Sequence, residues 1–293
     1  MRRVVSQQPE RSAPLTFSQR IGRRKALWWG RSGFDRIHRA RERMTLYRRH
    51  TDPDSRWRCC EHWQRSLSNK WNAREFARRY GCRVPELYWC GRRVAHIPLD
   101  ELPSTFVLKS VFGTSGNHVY VMRDGTDVLH NLTFSASGLR DHLRGAFGRV
   151  ALVPILVEEF IGGEVAEGLA TDYKCHVFGN VVGAIEVVHR ISAKNATCTF
   201  YTPTWSMFDY PFTTPKYPAG GYEPPPQCLD EMLRHARALG MAYGTFVRAD
   251  FYAARRGCVF GEFSTTPNDG NDFTEEANRY LGALWERYFP DAA

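Results

Sequence analysis

No part of this sequence stays apolar for long. Its longest purely apolar run, Val150 to Val157, is eight residues and contains Pro154, where a membrane-spanning helix takes roughly 20. No apolar stretch follows the first basic residues, so a secretory signal is not expected and a cytoplasmic protein is. Cysteine is sparse as well: eight in 293 residues are too few for a disulfide scaffold. Cys175 and Cys258 fall inside apolar strand patterns and read as reduced core residues. Cys59, Cys60 and His62 lie close together, but no second pair with zinc spacing follows, which makes a zinc site a poor expectation. Acids are scarce at one end. Residues 1–50 hold 14 Lys or Arg against only Glu10, Asp35 and Glu42, a net of +11, while the rest of the chain nets −2. What remains is ordinary: 43% hydrophobic and 24% charged residues exclude wholesale disorder and allow one or two packed cores.

The first 55 residues therefore read as a basic arm, with Ile37 to Tyr47 able to form a basic helix. Such an arm suits an anionic partner such as nucleic acid, acidic glycan or a membrane surface, or serves only to solubilise. Trp28, Trp29 and Phe34 allow a third use, as a wrap packed on the body. Arg65 to Tyr80 has one-face spacing of Trp71, Phe76 and Ala77 and predicts a helix ended by Gly81. Val84–Trp89 reads as extended, and Thr105–Ser110 and HVYVMRD as strands around the loop VFGTSGN. An amphipathic helix follows at Leu139–Phe147, then a strand in ALVPILVEEFI. In TDYKCHVFGNVVGAIEVVHR, two period-2 runs flank Gly179-Asn180, a hairpin signal. Leu229, Met232, Leu233 and Ala236 mark a helix that Gly240 is expected to stop. Two strands surround Arg255-Arg256-Gly257, and Asp272 to Glu275 offers a capping box for a closing helix that ends near Tyr288. Hairpins interleaved with helices indicate an α+β fold.

Four pieces carry chemistry. Lys109 on a strand precedes Gly113-Thr114-Ser115-Gly116, small residues whose backbone N–H groups can cradle phosphate. Glu158 and Glu159 end a strand, where carboxylates can accept from an adenine amino group or ribose hydroxyls. Asp172-Tyr173-Lys174 opens a hairpin whose second strand ends at Arg190, giving two cations for a triphosphate. Arg248-Ala249-Asp250 faces Glu262 on its hairpin partner, and two carboxylates on adjacent strands make an oxygen site for Mg²⁺. Each alone is as readily a turn or a solvated surface.

Taken in order, NKWNAREFARRYGC, LPSTFVLKS with its glycine loop, VEEFIGGE, DYKCHVFGN, VRADFY and GEFSTTP resemble the ATP-grasp superfamily, specifically its TupA-like branch, over about Asn69 to Pro290. DYKCHVFGNVVGAIEVVHR also resembles the hairpin of the ribosomal-protein glutamate ligases. The resemblance implies two α+β subdomains clamping ATP, a lid over residues 105–157 and a C-terminal subdomain over 158–293, preceded by an N-terminal region at 56–104. It implies that Lys109 and Gly113–Gly116 hold nucleotide phosphates, that Glu158 meets adenine with Phe160 and Ile161 along the ring, and that Glu164 meets ribose. Lys174 and Arg190 become the catalytic cations, and Asp250, Glu262 and Ser264 the Mg²⁺ ligands. Where many relatives have Glu-x-Asn this chain has Glu262-Phe263-Ser264, so Asn268 or Asp269 competes with Ser264 for the second metal position.

The activity implied is ATP-dependent ligation of a carboxylate to an amine through an acyl phosphate. Its setting would be polysaccharide biosynthesis at the cell surface, joining an amino acid to an acidic sugar or peptide carboxylate. Two alternatives stand beside it. One is an ATP-grasp kinase acting on a hydroxyl. The other is a nucleic-acid or glycan-binding protein with a vestigial ATP site, against which the intact Lys109, Lys174, Arg190, Asp250 and Glu262 argue.

Overall fold

The structure is a computed structural model that describes residues 34–113, 118–148, 153–163, 169–192, 195–213, 217–271 and 273–289. Trp28 and Trp29, and the arm up to residue 33, lie outside these. The helices are α1 (Phe34–Arg39), α2 (Asp54–Trp57), α3 (Lys70–Arg79), α4 (Ala136–Phe147), α5 (Leu229–Tyr243) and α6 (Glu275–Tyr288). The strands are β1 (Leu87–Gly91), β2 (Thr105–Ser110), β3 (Val119–Arg123), β4 (Thr126–Asp127), β5 (Leu132–Thr133), β6 (Ile155–Glu159), β7 (Asp172–Phe178), β8 (Val181–Arg190), β9 (Ala196–Tyr201), β10 (Phe246–Ala254) and β11 (Gly257–Ser264). They build two sheets, ordered β1-β6-β2-β3-β4-β5 and β11-β10-β7-β8-β9, with every paired strand antiparallel. The fold is α+β. Strand β1 comes from the expected N-terminal region and β6 crosses the 157/158 boundary, so the first sheet draws on three of the expected segments. No helix among the described residues is long and apolar enough to cross a membrane.

Each sheet buries one face under a helix. Leu139, Leu143 and Phe147 of α4 pack with Phe106, Leu108, Tyr120 and Val157 of the first sheet. Met232, Ala236, Leu239 and Tyr243 of α5 pack on Cys175, Val177, Ile185, Val187, Val247, Ala249 and Phe251 of the second. Alternate residues along a strand point to opposite faces, so the intervening Asp172, Lys174, Arg248 and Asp250 are turned away from α5. Cys175 and Cys258 are buried free thiols, as expected.

Two local expectations are corrected. The helix over Arg65–Tyr80 is broken at Asn69, which lies in the extended region and accepts hydrogen bonds from the Trp71 and Asn72 amides. Asparagine is a strong N-cap, so α3 begins after it and Trp63–Ser68 forms a separate 3₁₀ turn. Helix α5 runs past Gly240 and ends at Gly244, whose φ of 82° supplies the left-handed cap. Gly240 serves packing instead: a Cβ there would lie 2.3 Å from the Gly179 carbonyl oxygen and 2.4 Å from Val177 Cγ1. Helix α6 begins at Glu275 after Thr274, whose hydroxyl accepts from the Ala277 amide; Asp272, the other end of the expected capping box, lies outside the described residues.

The basic helix expected over Ile37–Tyr47 is divided into α1 and a 3₁₀ turn at Arg41–Thr45. This segment is tied to the body. Phe34 is buried against Phe246, with ring centroids 6.0 Å apart. The Arg48 amide donates to Asn72 Oδ1 at 2.9 Å, and Asn69 Nδ2 donates to the Met44 carbonyl at 3.0 Å.

The Gly240 contact predicts a sign. Gly240→Ala should cost about 1–3 kcal/mol by overpacking. Gly145→Ala, in α4 with open space around it, should stabilise by roughly 0.5–1 kcal/mol. Urea denaturation of both variants checks this, and equal effects would contradict it.

Candidate active site

The polar face of the second sheet is organised as a row across four strands. Asp250 on β10 lies opposite Glu262 on β11 and opposite Lys174 on β7, and Lys174 lies opposite Glu186 on β8. A register shift after Asp250 leaves the two carboxylates directly paired. Asp250 is almost fully buried and accepts from Arg248 Nε at 2.8 Å, Arg248 Nη2 at 2.8 Å and Lys174 Nζ at 2.9 Å. Lys174 also lies 3.3 Å from Asp172 Oδ2, which in turn pairs with Arg190 Nε at 3.2 Å. Arg190 is further bonded to the Tyr217 side chain.

These contacts fix charge. Burial acts to raise the Asp250 carboxyl, but Arg248 and Lys174 outweigh it and hold the group below the usual carboxylate range. Burial acts to lower the Lys174 ammonium, and Asp172 and Asp250 outweigh that in turn, so the lysine stays charged. Glu262 is more open, with 38% of its side chain exposed, and sits 3.2 Å from Lys70 Nζ. Lys70 also donates to the Gly113 carbonyl, so one ammonium joins the start of the glycine loop to the carboxylate pair.

A cleft of about 1240 Å³ opens over this face, lined among others by Lys70, Lys174, Glu186, Arg190, Arg248 and Glu262. Gly113 and Ser264 line it too. Thr114, Ser115, Gly116 and Glu164 lie outside the described residues, as do the side chains of Asn268 and Asp269. Lys109 and Glu158 form a close ion pair, both side chains mostly buried, on adjacent strands β2 and β6. Ile161 packs with Ala254 and Val259 of the second sheet, and the Arg123 guanidinium lies 5.3 Å above the Phe160 ring. Phe160 and Ile161 line a second cavity of about 550 Å³ together with Thr105, Arg123 and Arg255. The sequence-expected residues are therefore divided among a polar cleft, this sheet-to-sheet junction and the Lys109–Glu158 pair within the first sheet.

No group of three or more His, Cys, Asp or Glu that could hold a metal ion occurs among the described residues. The Cys59 thiol takes a contact from Arg48 Nη2 at 3.0 Å. Sequence reasoning assigned no role to Lys70, Glu186 or Arg248. For Arg248 the signal was present, because it alternates with Asp250. Lys70 and Glu262 are 192 positions apart, and only folding brings them together.

Asp250 neutralises two buried cations, so its removal should be costly. Asp250→Ala should lose about 3–5 kcal/mol of stability, the range for breaking one side of a buried ion pair. Adding Lys174→Met should recover part of the loss. Guanidinium denaturation measures both, and an Asp250→Ala variant as stable as wild type would contradict the charge assignment.

No curated protein matches this sequence. Among solved structures, similar ones include D-alanine–D-alanine ligase from Bacillus anthracis complexed with ATP, 13% identical with a TM-score of 0.49, covering 78% of this chain and 66% of that one. Another is a RimK domain ATP-grasp protein from Sphaerobacter thermophilus, 14% identical with a TM-score of 0.46, covering 76% and 67%. A third is the ATP-grasp ligase PsnB complexed with a minimal precursor, 10% identical with a TM-score of 0.43, covering 75% and 59%. The chain thus spans about three fifths to two thirds of the length of these proteins. The TupA-like ATPgrasp family matches residues 60–286. With more than three quarters of its length matched, the chain belongs to the TupA-like ATP-grasp family.

Proposed function

We propose that this protein is an ATP-dependent ligase that joins a carboxylate to an amine through an acyl phosphate. The observation that carries the reading is the cationic set Lys174, Arg190 and Arg248 lining one cleft beside the paired carboxylates Asp250 and Glu262. Phosphoryl transfer asks little of a protein beyond positioning and charge stabilisation, and this face supplies both.

Lys109 and Gly113–Gly116 would hold the nucleotide phosphates from the first sheet, acting as lid. Glu158, Phe160, Ile161 and Glu164 would take adenine and ribose. ATP binding would then compete with the Lys109–Glu158 pair. Asp250 and Glu262 fit a single Mg²⁺ between them: each carboxylate oxygen has two lone pairs, and the bonds to Asp250 leave some of these available. Ser264, opposite Arg248 in register, stands next to the pair as a weaker neutral oxygen. Bound there, Mg²⁺ would neutralise phosphate oxygens. The substrate carboxylate attacks the γ-phosphorus, ADP leaves, and the resulting acyl phosphate is attacked by an amine. Lys174 and Arg190 stabilise the transferring charge, and lid closure keeps water from the acyl phosphate.

The reading extends to an acidic sugar or peptide carboxylate as acceptor, and to cell-surface polysaccharide biosynthesis, carried out in the cytoplasm, as setting. The basic arm, net +11 over residues 1–50, suits an anionic polymer as that acceptor. The division into 56–104, 105–157 and 158–293 belongs to the same proposal.

Hydroxylamine traps acyl phosphates as hydroxamates, so the test does not depend on knowing the amine. ADP release and hydroxamate formation are measured with ATP, Mg²⁺ and D-glucuronate, D-galacturonate or an L-glutamyl peptide. The expected result is carboxylate-dependent hydroxamate, reduced about 100-fold or more in Lys174→Ala and Arg190→Ala. ADP release that yields a stable phosphorylated hydroxyl compound and no hydroxamate would make the protein a kinase instead.

A further inference from the structure

The polar row continues past Lys174 to Glu186, which lies opposite Lys174 on one side and Phe200 of β9 on the other and lines the same cleft. Its contacts are all long: His176 Nε2 at 3.6 Å, Arg248 Nη1 at 3.8 Å and the Cys198 thiol at 3.8 Å. Asp250, two strands away, accepts three hydrogen bonds of 2.8–2.9 Å. A carboxylate offers about four acceptor positions, so Glu186 keeps more capacity toward the cleft than Asp250, three of whose positions are taken. Arg248 turns Nε and Nη2 to the two oxygens of Asp250 and leaves only Nη1, at 3.8 Å, toward Glu186.

The cleft wall beside Glu186 is aromatic, and its neighbouring cations, Lys174 and Arg248, are engaged by Asp250. Phe200 and Phe212 stack with centroids 4.5 Å apart, both line the cleft, and aromatic faces attract ammonium groups. His176, 1% exposed, lies behind the carboxylate. Burial pushes its imidazole down, so it adds no positive charge. Burial acts to raise the Glu186 carboxyl, but contact with the His176 ring nitrogen and the positive charges of Arg248 and Lys174 bring it down to about 2. It is an anion at any working pH and a poor base.

We infer that Glu186, flanked by Phe200 and Phe212, holds the ammonium group of the amine substrate. The inference rests on the ligase reading above and assigns its second substrate a place. Adjacent strands lie about 4.8 Å apart, so an amine nitrogen at Glu186 is one strand from an acyl phosphate held at Lys174, and Arg190 ends the strand that carries Glu186. The row then follows the order of the reaction, from metal carboxylates to phosphate to acyl group to amine. In the second step the nitrogen–carbon bond forms and the bond between carbon and the phosphate oxygen breaks. Of the two protons the ammonium loses, one leaves on hydrogen phosphate and the other passes to solvent.

Hydroxylamine is uncharged near neutrality and ethanolamine is an ammonium, so the two probes separate charge recognition from chemistry. Using a carboxylate that supports hydroxamate formation, the apparent affinity for ethanolamine is measured as inhibitor of, or competitor with, the hydroxylamine reaction. Glu186→Gln should weaken ethanolamine about tenfold or more, the loss of one charge-assisted hydrogen bond, while ATP affinity and hydroxamate formation change far less. If Glu186→Gln fails to fold, Glu186→Asp keeps the charge one methylene further back and should weaken ethanolamine by a smaller factor. Ethanolamine that does not bind wild type, or binds the variants equally well, overturns the amine site while leaving ligation standing. A variant that loses ATP affinity instead makes Glu186 a counter-ion of Lys174 and Arg248. Failure of every carboxylate to give hydroxamate in wild type overturns the ligase reading and the amine site with it.

Discussion

The ion triad of Asp250, Arg248 and Lys174 is the contact on which the rest of the polar face depends. Three charges are held mostly out of water on a five-stranded sheet, an arrangement that persists only if each charge is matched. Matching fixes the positions of all three. The same contact passes outward: Lys174 engages Asp172, Asp172 engages Arg190, and Glu262 engages Lys70. Cations that would face a transferring phosphate are thus set in place by carboxylates, without movement of their own. Electrostatic stabilisation is most effective when it is preorganised in this way.

A second constraint is the division of labour between the faces of that sheet. Strand β7 is buried along its whole length, yet it carries Asp172, Lys174 and His176. This is possible because the alternate residues, Tyr173, Cys175 and Val177, face the α5 core. A one-residue slip in register would put lysine and aspartate under the helix and leave the cleft apolar. The close approach of Gly240 to the Gly179 carbonyl oxygen helps pin the helix against this hairpin.

Strand patterns and hairpin turns were legible because period-2 alternation and a Gly-Asn turn are local properties. The β7–β8 hairpin and the β10–β11 pair stand where the sequence places them, and so does the opposition of Asp250 and Glu262. Features set by distant partners were not legible. The end of α5 was misplaced because Gly240 answers to packing, while Gly244 carries the left-handed backbone. The break at Asn69 depends on a side chain that caps one helix and also donates to Met44. Strand β9, rich in threonine and only six residues long, gave no clear pattern, although it completes the sheet edge beside Glu186. Lys70 was seen as part of a motif, but its bond to Glu262 exists only in three dimensions. The Lys109–Glu158 pair joins two residues assigned to different parts of the nucleotide, and their adjacency follows from the β2–β6 register.

The central claim is that a carboxylate oxygen becomes bonded to phosphorus over this charged face. Isotope transfer reads that bond directly. With both oxygens of the substrate carboxylate labelled with ¹⁸O and turnover completed by an amine, the account predicts one ¹⁸O in each released phosphate and one retained in the amide. Unlabelled phosphate, with both labelled oxygens still in the product, would contradict it.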